Sequence, residues 1–206
     1  MTAKERILGR LLSARGGSRL PRADAPQIAA QARLTADACL LRFEVEATAL
    51  GVECYVERAI ADVHARLTSL VEGRRVLSWS PEHLPYQTGA LLADPIPGHA
   101  PRDVLASAEV GVTGCDAAVA ETASLVMFSG PGRSRAVSLL PAFHVAIVER
   151  HRLQFSMAEV FDTHRERLRA SASCTFITGP SRTADIELTL TLGIHGPGRV
   201  AVIVGP

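Results

Sequence analysis

Apolar and polar residues alternate strictly in the C-terminal part of the chain. An isoleucine or leucine occupies every second position from Ile186 to Leu192, with acidic residues or threonines between them. A period of two is typical of a strand with one buried face, and β-branched threonine favours the same structure. Continuous apolar runs over 174–177 and 200–204 predict two further strands. The loops between these strands carry polar groups of the kind that form binding sites on a rigid scaffold.

Strands and helices also alternate along the rest of the chain. The predicted strands cover 52–56, 75–79, 110–113, 124–128 and 144–149. The predicted helices cover 57–71, 103–108, 117–122 and 153–169. The order of strand, helix and strand from 52 to 79 is that of a parallel βαβ unit. We therefore predict an α/β fold with an open, mainly parallel sheet flanked by helices, and a long loop or a set of turns over 80–101.

The first 49 residues predict helices, with a linker over 21–26 between them. Thr2 and Glu5 have the spacing of a capping box, in which a hydroxyl and a carboxylate cap the start of one helix. The apolar face of this helix suits docking on the body or on a partner subunit, or, as the alternative, a membrane surface. Residues 27–49 predict one long helix or two short ones. The predicted domains are an N-terminal helical extension over 1–49 and an α/β domain over 50–206.

Composition excludes several classes of function. The net charge is +1 and aromatic residues make up 4% of the chain, so neither electrostatics nor base stacking favours nucleic-acid binding. The four cysteines are far apart and form no CxxC motif, so the sequence indicates neither a metal site nor an iron–sulfur cluster in this chain. No apolar run approaches the roughly 18 residues of a membrane span. We expect a cytoplasmic protein.

A glycine turn after a predicted strand is the first candidate site. It holds Gly114 and Asp116, and Glu121 and Thr122 follow it. The backbone N–H groups of such a turn can bind an anion. The alternative is a structural turn with a capping aspartate. Glu121 is expected just before a buried strand, where its carboxylate either needs a partner such as Arg182 or acts on a substrate.

The segment Ser181, Arg182 and Thr183 is the second candidate site. Two hydroxyl groups beside a guanidinium suit a phosphate or carboxylate, because the planar guanidinium donates two parallel hydrogen bonds. The alternative is an ion pair of Arg182 with Asp185 or Glu187 that fixes the loop.

Two histidines are candidates for proton transfer or ligand binding. His195 lies in a Gly-Pro turn next to Gly196, and His144 begins a predicted strand. A structural role is the alternative for each. The other five histidines have no spacing that indicates a metal site, and we expect them on the surface.

Several segments together resemble the lactate utilization protein C family, also called the LUD domain. These segments are 111–122, 139–144, 177–187 and 193–197, and the most specific sequences are TGPSRTADIE and GIHGP. The resemblance is close over 110–204 and looser from residue 44. One departure is Ala123, because many relatives have a glycine at this position.

The resemblance implies an open α/β sheet like that of the NagB/RpiA/CoA-transferase superfamily. It also implies a role in the oxidation of L-lactate to pyruvate, as a cluster-free subunit or accessory factor of iron–sulfur partner proteins. The wide spacing of the cysteines agrees with clusters in the partners rather than in this chain. One alternative is a free-standing enzyme that acts on a nucleotide, coenzyme A or a folate-type substrate. Another is a partner-binding module without chemistry.

Under the lactate hypothesis, the two candidate segments bind a small anionic ligand. Arg182 clamps the anion, Ser181 and Thr183 donate hydrogen bonds, and Glu121 or His195 moves a proton. The other expected binding residues are Gly114, Asp116, Thr122, Asp185, Glu187 and Gly196.

Overall fold

The computed structural model describes residues 2–14, 34–184 and 190–206. The chain divides into two units, Met1–Ala32 and Arg33–Pro206. Within the described ranges, no helix is both long enough and apolar enough to cross a membrane.

Helix α1 (Ala3–Ala14) belongs to the first unit and begins at the predicted capping box. The backbone N–H of Thr2 donates to Glu5 Oε2 over 2.7 Å, and the N–H of Glu5 donates to Thr2 Oγ1 over 3.3 Å. These two bonds satisfy backbone donors that the first turn of a helix leaves free. The capping box is therefore confirmed.

The other helices and all described strands belong to the second unit. The helices are α2 (Ala36–Ala49), α3 (Ile60–Val71), α4 (Arg102–Ala106), α5 (Ala136–Leu139), α6 (Met157–Thr163) and α7 (Arg165–Ala170). The strands are β1 (Glu53–Val56), β2 (Val76–Ser78), β3 (Ile96–Pro97), β4 (Val110–Gly114), β5 (Ala117–Val119), β6 (Ser124–Phe128), β7 (Phe143–Glu149), β8 (Leu153–Gln154), β9 (Cys174–Ile177), β10 (Arg182–Ala184), β11 (Leu190–Leu192) and β12 (Arg199–Gly205).

A six-stranded sheet forms the centre of this unit. Its strand order is β1-β12-β7-β4-β2-β3, and every neighbouring pair is parallel. Strand β4 is buried along its whole length, and so is β7 up to its last residue. Strands covered on both faces appear in the sequence as continuous apolar runs, which is why the sequence predicts them well. The predicted open, mainly parallel α/β sheet is confirmed.

A second sheet packs between the six-stranded sheet and helix α6. Its strand order is β8-β5-β6-β9. Leu125 and Met127 on one face of β6 belong to the main core, whereas Val126 and Phe128 on the other face pack in a cluster with Val160 of α6. This alternation follows from the period of two in a strand, which points successive side chains to opposite faces.

Two helix predictions are wrong. The alanine-rich stretch 117–122 contains the strand β5, because pairing with β6 and complete burial outweigh the helix propensity of alanine. The stretch 153–169 contains β8 and two helices instead of one. Ser156 begins α6, since its hydroxyl accepts a hydrogen bond from the Glu159 N–H over 3.4 Å, and His164 separates α6 from α7.

The alternating run near the C-terminus falls only partly within the described residues. Its last part is β11, which pairs antiparallel with β10. Residues 185–189 lie outside the described residues, so the single strand predicted over this run stays a prediction there.

His144 lies fully buried in β7, and its burial predicts that the folded protein loses stability in acid. Its Nε2 is 2.9 Å from Thr113 Oγ1, while its Nδ1 is buried and has no hydrogen-bond partner. Burial lowers the pKa of His144 to about 4, from the ordinary value of 6.5. The unfolded chain therefore takes up a proton that the folded chain does not, and folding stability falls as the pH falls from 6.5 to 4. The expected loss is about 3 kcal/mol.

Urea unfolding at several pH values tests this prediction. The pKa of His164 is also lowered by burial, so acid acts on both histidines in the same direction. The comparison is therefore between the wild type and a His144→Gln variant, whose stability should depend less steeply on pH. Equal pH dependence in the two proteins would contradict the assignment.

Candidate anion-binding cleft

Strand β4 lies between β7 and β2 in the six-stranded sheet. A cleft of about 320 Å³ lies beyond the carboxyl ends of these three strands. Trp79 follows β2, Cys115 and Asp116 follow β4, and Glu149 ends β7, and all four line the cleft. Open α/β sheets bind ligands at this edge, because the loops that leave the parallel strands meet there. Its location therefore makes the cleft the candidate functional site.

Asp116 has a buried carboxylate, and both of its oxygens contact positively polarised donors. It is 4% exposed. Arg133 Nη2 and the backbone N–H of Phe128 donate to Oδ2, the latter over 2.8 Å. Arg167 Nη1 lies 2.7 Å from Oδ1. Two guanidinium cations thus face one carboxylate, so the immediate surroundings of Asp116 carry a surplus positive charge, within a lining that holds three arginines and three carboxylates.

Arg133 reaches Asp116 from the turn that follows β6. Gly132 in this turn has a φ of +69°, and a Cβ at this position would lie 2.6 Å from Ser80 Oγ. Glycine therefore allows both the left-handed backbone and the close approach of the turn. The backbone N–H of Ser80 donates to the Gly132 carbonyl over 2.9 Å and ties the two loops together. The guanidinium of Arg133 then lies 4.4 Å from the centroid of the Trp79 ring.

A third arginine, Arg152, also lines the cleft but is already paired. Its Nε donates to Glu149, and its Nη1 donates to the Cys115 carbonyl over 3.1 Å. Burial raises the pKa of the Cys115 thiol to about 12, so this thiol stays protonated at neutral pH and is a poor nucleophile. His83 lines the same cleft, with its Nε2 3.1 Å from the Pro131 carbonyl oxygen. Of the five histidines expected on the surface, His99 and His151 are exposed, whereas His64, His83 and His164 are half-buried.

Close packing and backbone conformation explain which residue types suit two positions in or next to the first candidate site. A Cβ on Gly114 would lie 2.9 Å from the carbonyl oxygen of His83, so glycine permits the close packing of the turn beside the cleft. Ala123 has a φ of +47°, a left-handed conformation that favours glycine. The glycine that the family resemblance leads us to expect at this position would therefore suit the backbone conformation itself.

Glu121 and Thr122 make contacts away from the arginines of the cleft. Glu121 Oε1 accepts a hydrogen bond from the Met157 N–H over 3.1 Å, at the start of α6. The Thr122 hydroxyl is 2.8 Å from that of Ser124, which is 2.6 Å from the hydroxyl of Thr178. This chain of three hydroxyl groups links Thr122 of the first candidate site to Thr178, three residues before Ser181. The catalytic role expected for Glu121 stays a prediction.

Arg182 contacts the end of a helix in the structure. Its Nη2 donates to the carbonyl of Leu50, the residue that follows α2. A cation at this position also interacts favourably with the helix dipole. Ser181 is held through its backbone, since its N–H donates to the Pro197 carbonyl over 2.8 Å and its carbonyl accepts from the Gly193 N–H over 3.0 Å. The anion clamp expected of these two residues stays a prediction.

The remaining predicted site residues are near Ser181 or outside the described residues. His195 is exposed, and a Cβ on Gly196 would lie 3.5 Å from Ser181 Cβ. Asp185, Glu187 and the side chain of Thr183 lie outside what the structure describes.

Sequence reasoning missed Trp79, Arg133, Glu149 and Arg167. Glu149 and Trp79 had a usable signal, because each stands at the end of a buried strand, where sites of parallel sheets form. Arg133 had a weaker one in the glycine-rich turn before it. Arg167 had none, because it is one of several arginines on a charged helix. Across the described ranges, no group of three or more His, Cys, Asp or Glu side chains is placed to hold a metal ion.

Residues 40–204 of this α/β protein match the LUD domain family. Because the match covers most of the chain, the chain belongs to the LUD domain family. A similar fold occurs in the crystal structure, at 1.70 Å resolution, of a DUF162 family protein from Deinococcus radiodurans. The TM-score is 0.65 at 23% sequence identity, and the similarity covers 84% of this chain and 99% of that chain.

Three relatives are proteins named Lactate utilization protein C. The protein of Exiguobacterium sp. is 39% identical over 109 residues, which are 51% of this chain and 47% of that protein. The protein of Halalkalibacterium halodurans is 42% identical over 103 residues, 47% of this chain and 44% of that protein. The protein of Bacillus subtilis is 39% identical over 101 residues, 47% of this chain and 42% of that protein. The matched part is less than half the length of each relative.

Proposed function

We propose that this protein acts in the use of L-lactate, as a cluster-free subunit or accessory factor of iron–sulfur partner proteins that oxidise lactate to pyruvate. The cleft beyond β2, β4 and β7 binds the small acid. Membership of the LUD domain family and the names of the relatives support the pathway. The electrons released by the oxidation pass to the partners, and this chain contributes acid binding.

The observation that carries the proposal is the arrangement of Arg133 and Arg167 around Asp116. One carboxylate balances only one of the two guanidinium charges. A guanidinium matches a carboxylate through two parallel hydrogen bonds, so the unbalanced charge suits a carboxylic acid.

The size of the cleft favours a small acid over the alternative substrates. Its volume of about 320 Å³ is at the lower end of the range for ligand pockets. A coenzyme A or folate-type molecule would extend far outside a cleft of this size, whereas a three-carbon acid fits within it.

Growth of the host organism tests the proposed function. A strain without the gene should fail to grow on L-lactate but grow normally on pyruvate, and the wild-type gene should restore growth on lactate. The protein should also co-purify with iron–sulfur proteins from cells grown on lactate. Normal growth of the deletion strain on L-lactate would refute the role in this pathway.

A further inference from the structure

The two arginines at Asp116 differ in their exposure to solvent. The side chain of Arg133 is 11% exposed and that of Arg167 is 42% exposed. Arg167 reaches Asp116 through one terminal nitrogen, Nη1, at 2.7 Å. Because a guanidinium has five N–H donors, a solute that enters the cleft can reach further donors of Arg167.

Trp79 fixes the position of Arg133. Its ring is 3% exposed and is oriented by a hydrogen bond of 3.2 Å from Nε1 to the Ser134 carbonyl. The guanidinium of Arg133 lies over this ring, and its buried Nε has no hydrogen-bond partner. The attraction between the cation and the face of the ring therefore compensates part of the lost hydration.

These contacts divide the charges of the cleft into two groups. Arg133 is held by both Trp79 and Asp116, so it acts as the fixed counter-charge of the buried carboxylate. Arg152 is paired with Glu149. Glu82 lines the cleft with a carboxylate that is 67% exposed, where water screens its charge. Arg167 also lies 4.9 Å from the centroid of the Phe128 ring, but its greater exposure leaves it as the accessible cation.

We infer that Arg167 is the arginine that contacts the ligand, by binding the carboxylate of a small 2-hydroxy or 2-oxo acid, and that Trp79 is the positioning residue that holds Arg133 on Asp116. The inference rests on the proposed function for the choice of acid. It extends that function by naming the recognised group, the residue that binds it and the residue that keeps the site charged.

Calorimetric titration of the purified chain with L-lactate and pyruvate tests the role of Arg167. The Arg167→Gln variant should bind each acid about tenfold more weakly or worse. The control is Arg165→Gln on the same helix, because Arg165 pairs with Asp162 at the surface, and it should stay within about twofold of the wild type. Lactamide, the neutral amide of lactate, should not bind. All titrations are made at one salt concentration, since salt screens the attraction.

The role of Trp79 has a spectroscopic readout, because it is the sole tryptophan of the chain. An acid concentration that saturates the wild type should change the tryptophan fluorescence of the wild type and of Arg165→Gln fully, but that of Arg167→Gln much less. Trp79→Phe keeps an aromatic face and should retain acid binding, whereas Trp79→Leu should weaken it about tenfold. Equal weakening in the two Trp79 variants would refute the positioning role.

The results separate this inference from the proposed function. Saturable binding that Arg167→Gln retains would overturn the inference. If Arg182→Gln abolishes this binding, the site lies at the Ser181 loop. Absence of binding in the wild type would also overturn it, while the growth experiment decides the pathway separately. Binding through Arg167 without a growth defect on lactate would leave the inference standing and refute the pathway.

Discussion

Replacement of Gly111 by alanine is expected to lower the free energy of unfolding by about 3 kcal/mol or more. A Cβ on Gly111 would lie 1.9 Å from the carbonyl oxygen of Val137 and 3.2 Å from Pro141 Cγ. The clash is with backbone, so no change of side-chain rotamer relieves it, and helix α5 has to move away from β4. Domains are stable by about 5–15 kcal/mol, so the substitution removes a large share of the total.

Urea unfolding followed by circular dichroism measures this effect. The matched control is Gly130→Ala, because a Cβ at Gly130 meets no atom within 4 Å. Its stability should remain within about 0.5 kcal/mol of the wild type. The turn with Arg133 leads directly into α5, so Gly111→Ala should also weaken acid binding at temperatures where it is still folded. An unchanged unfolding midpoint would show that α5 packs on β4 more loosely than the structure indicates.

The sheet could be predicted from the sequence because its strands are buried on both faces. The runs that became β7 and β12 consist mostly of apolar residues, and their short length and β-branched residues favour a buried strand over a helix. Strand β5 could not be predicted, because alanine carries no strong preference for a strand. Only the pairing with β6, which depends on the tertiary structure, decides its conformation.

Of the charged residues that line the cleft, only Asp116 was predicted from the sequence, although Glu149 also had a usable signal. Asp116 follows a buried strand and a glycine, and both features are local in the sequence. Its partner Arg133 is 17 residues away along the chain, and Arg167 comes from a helix beyond the second sheet. Arg182 had the strongest local signal, two hydroxyl neighbours, yet its guanidinium contacts Leu50. Residue types indicate which groups can bind an anion, but the direction of a long side chain depends on packing.

The Asp116→Asn variant is expected to be less stable than the wild type by about 3 kcal/mol. The substitution keeps the shape of the side chain but removes the charge that two arginines share. Arg133 is then a buried cation without an anionic partner, which is the costly case for a broken ion pair. Arg167 contributes less to the loss, because water reaches its more exposed guanidinium. The control is Asp162→Asn, whose exposed pair with Arg165 should contribute little.

The same variant decides how Asp116 acts towards a ligand. If Asp116 serves to balance charge, its removal increases the positive charge of the cleft, and Asp116→Asn should bind L-lactate or pyruvate more tightly than the wild type. Added acid should then raise the unfolding temperature of the variant more than that of the wild type, because a ligand stabilises the state that it binds. If Asp116 instead contacts the ligand directly, in line with its sequence-based assignment as a binding residue, affinity should fall. Thermal unfolding over a series of acid concentrations distinguishes the two roles. In the first case the acid raises the unfolding temperature of Asp116→Asn more than that of the wild type, and in the second case less.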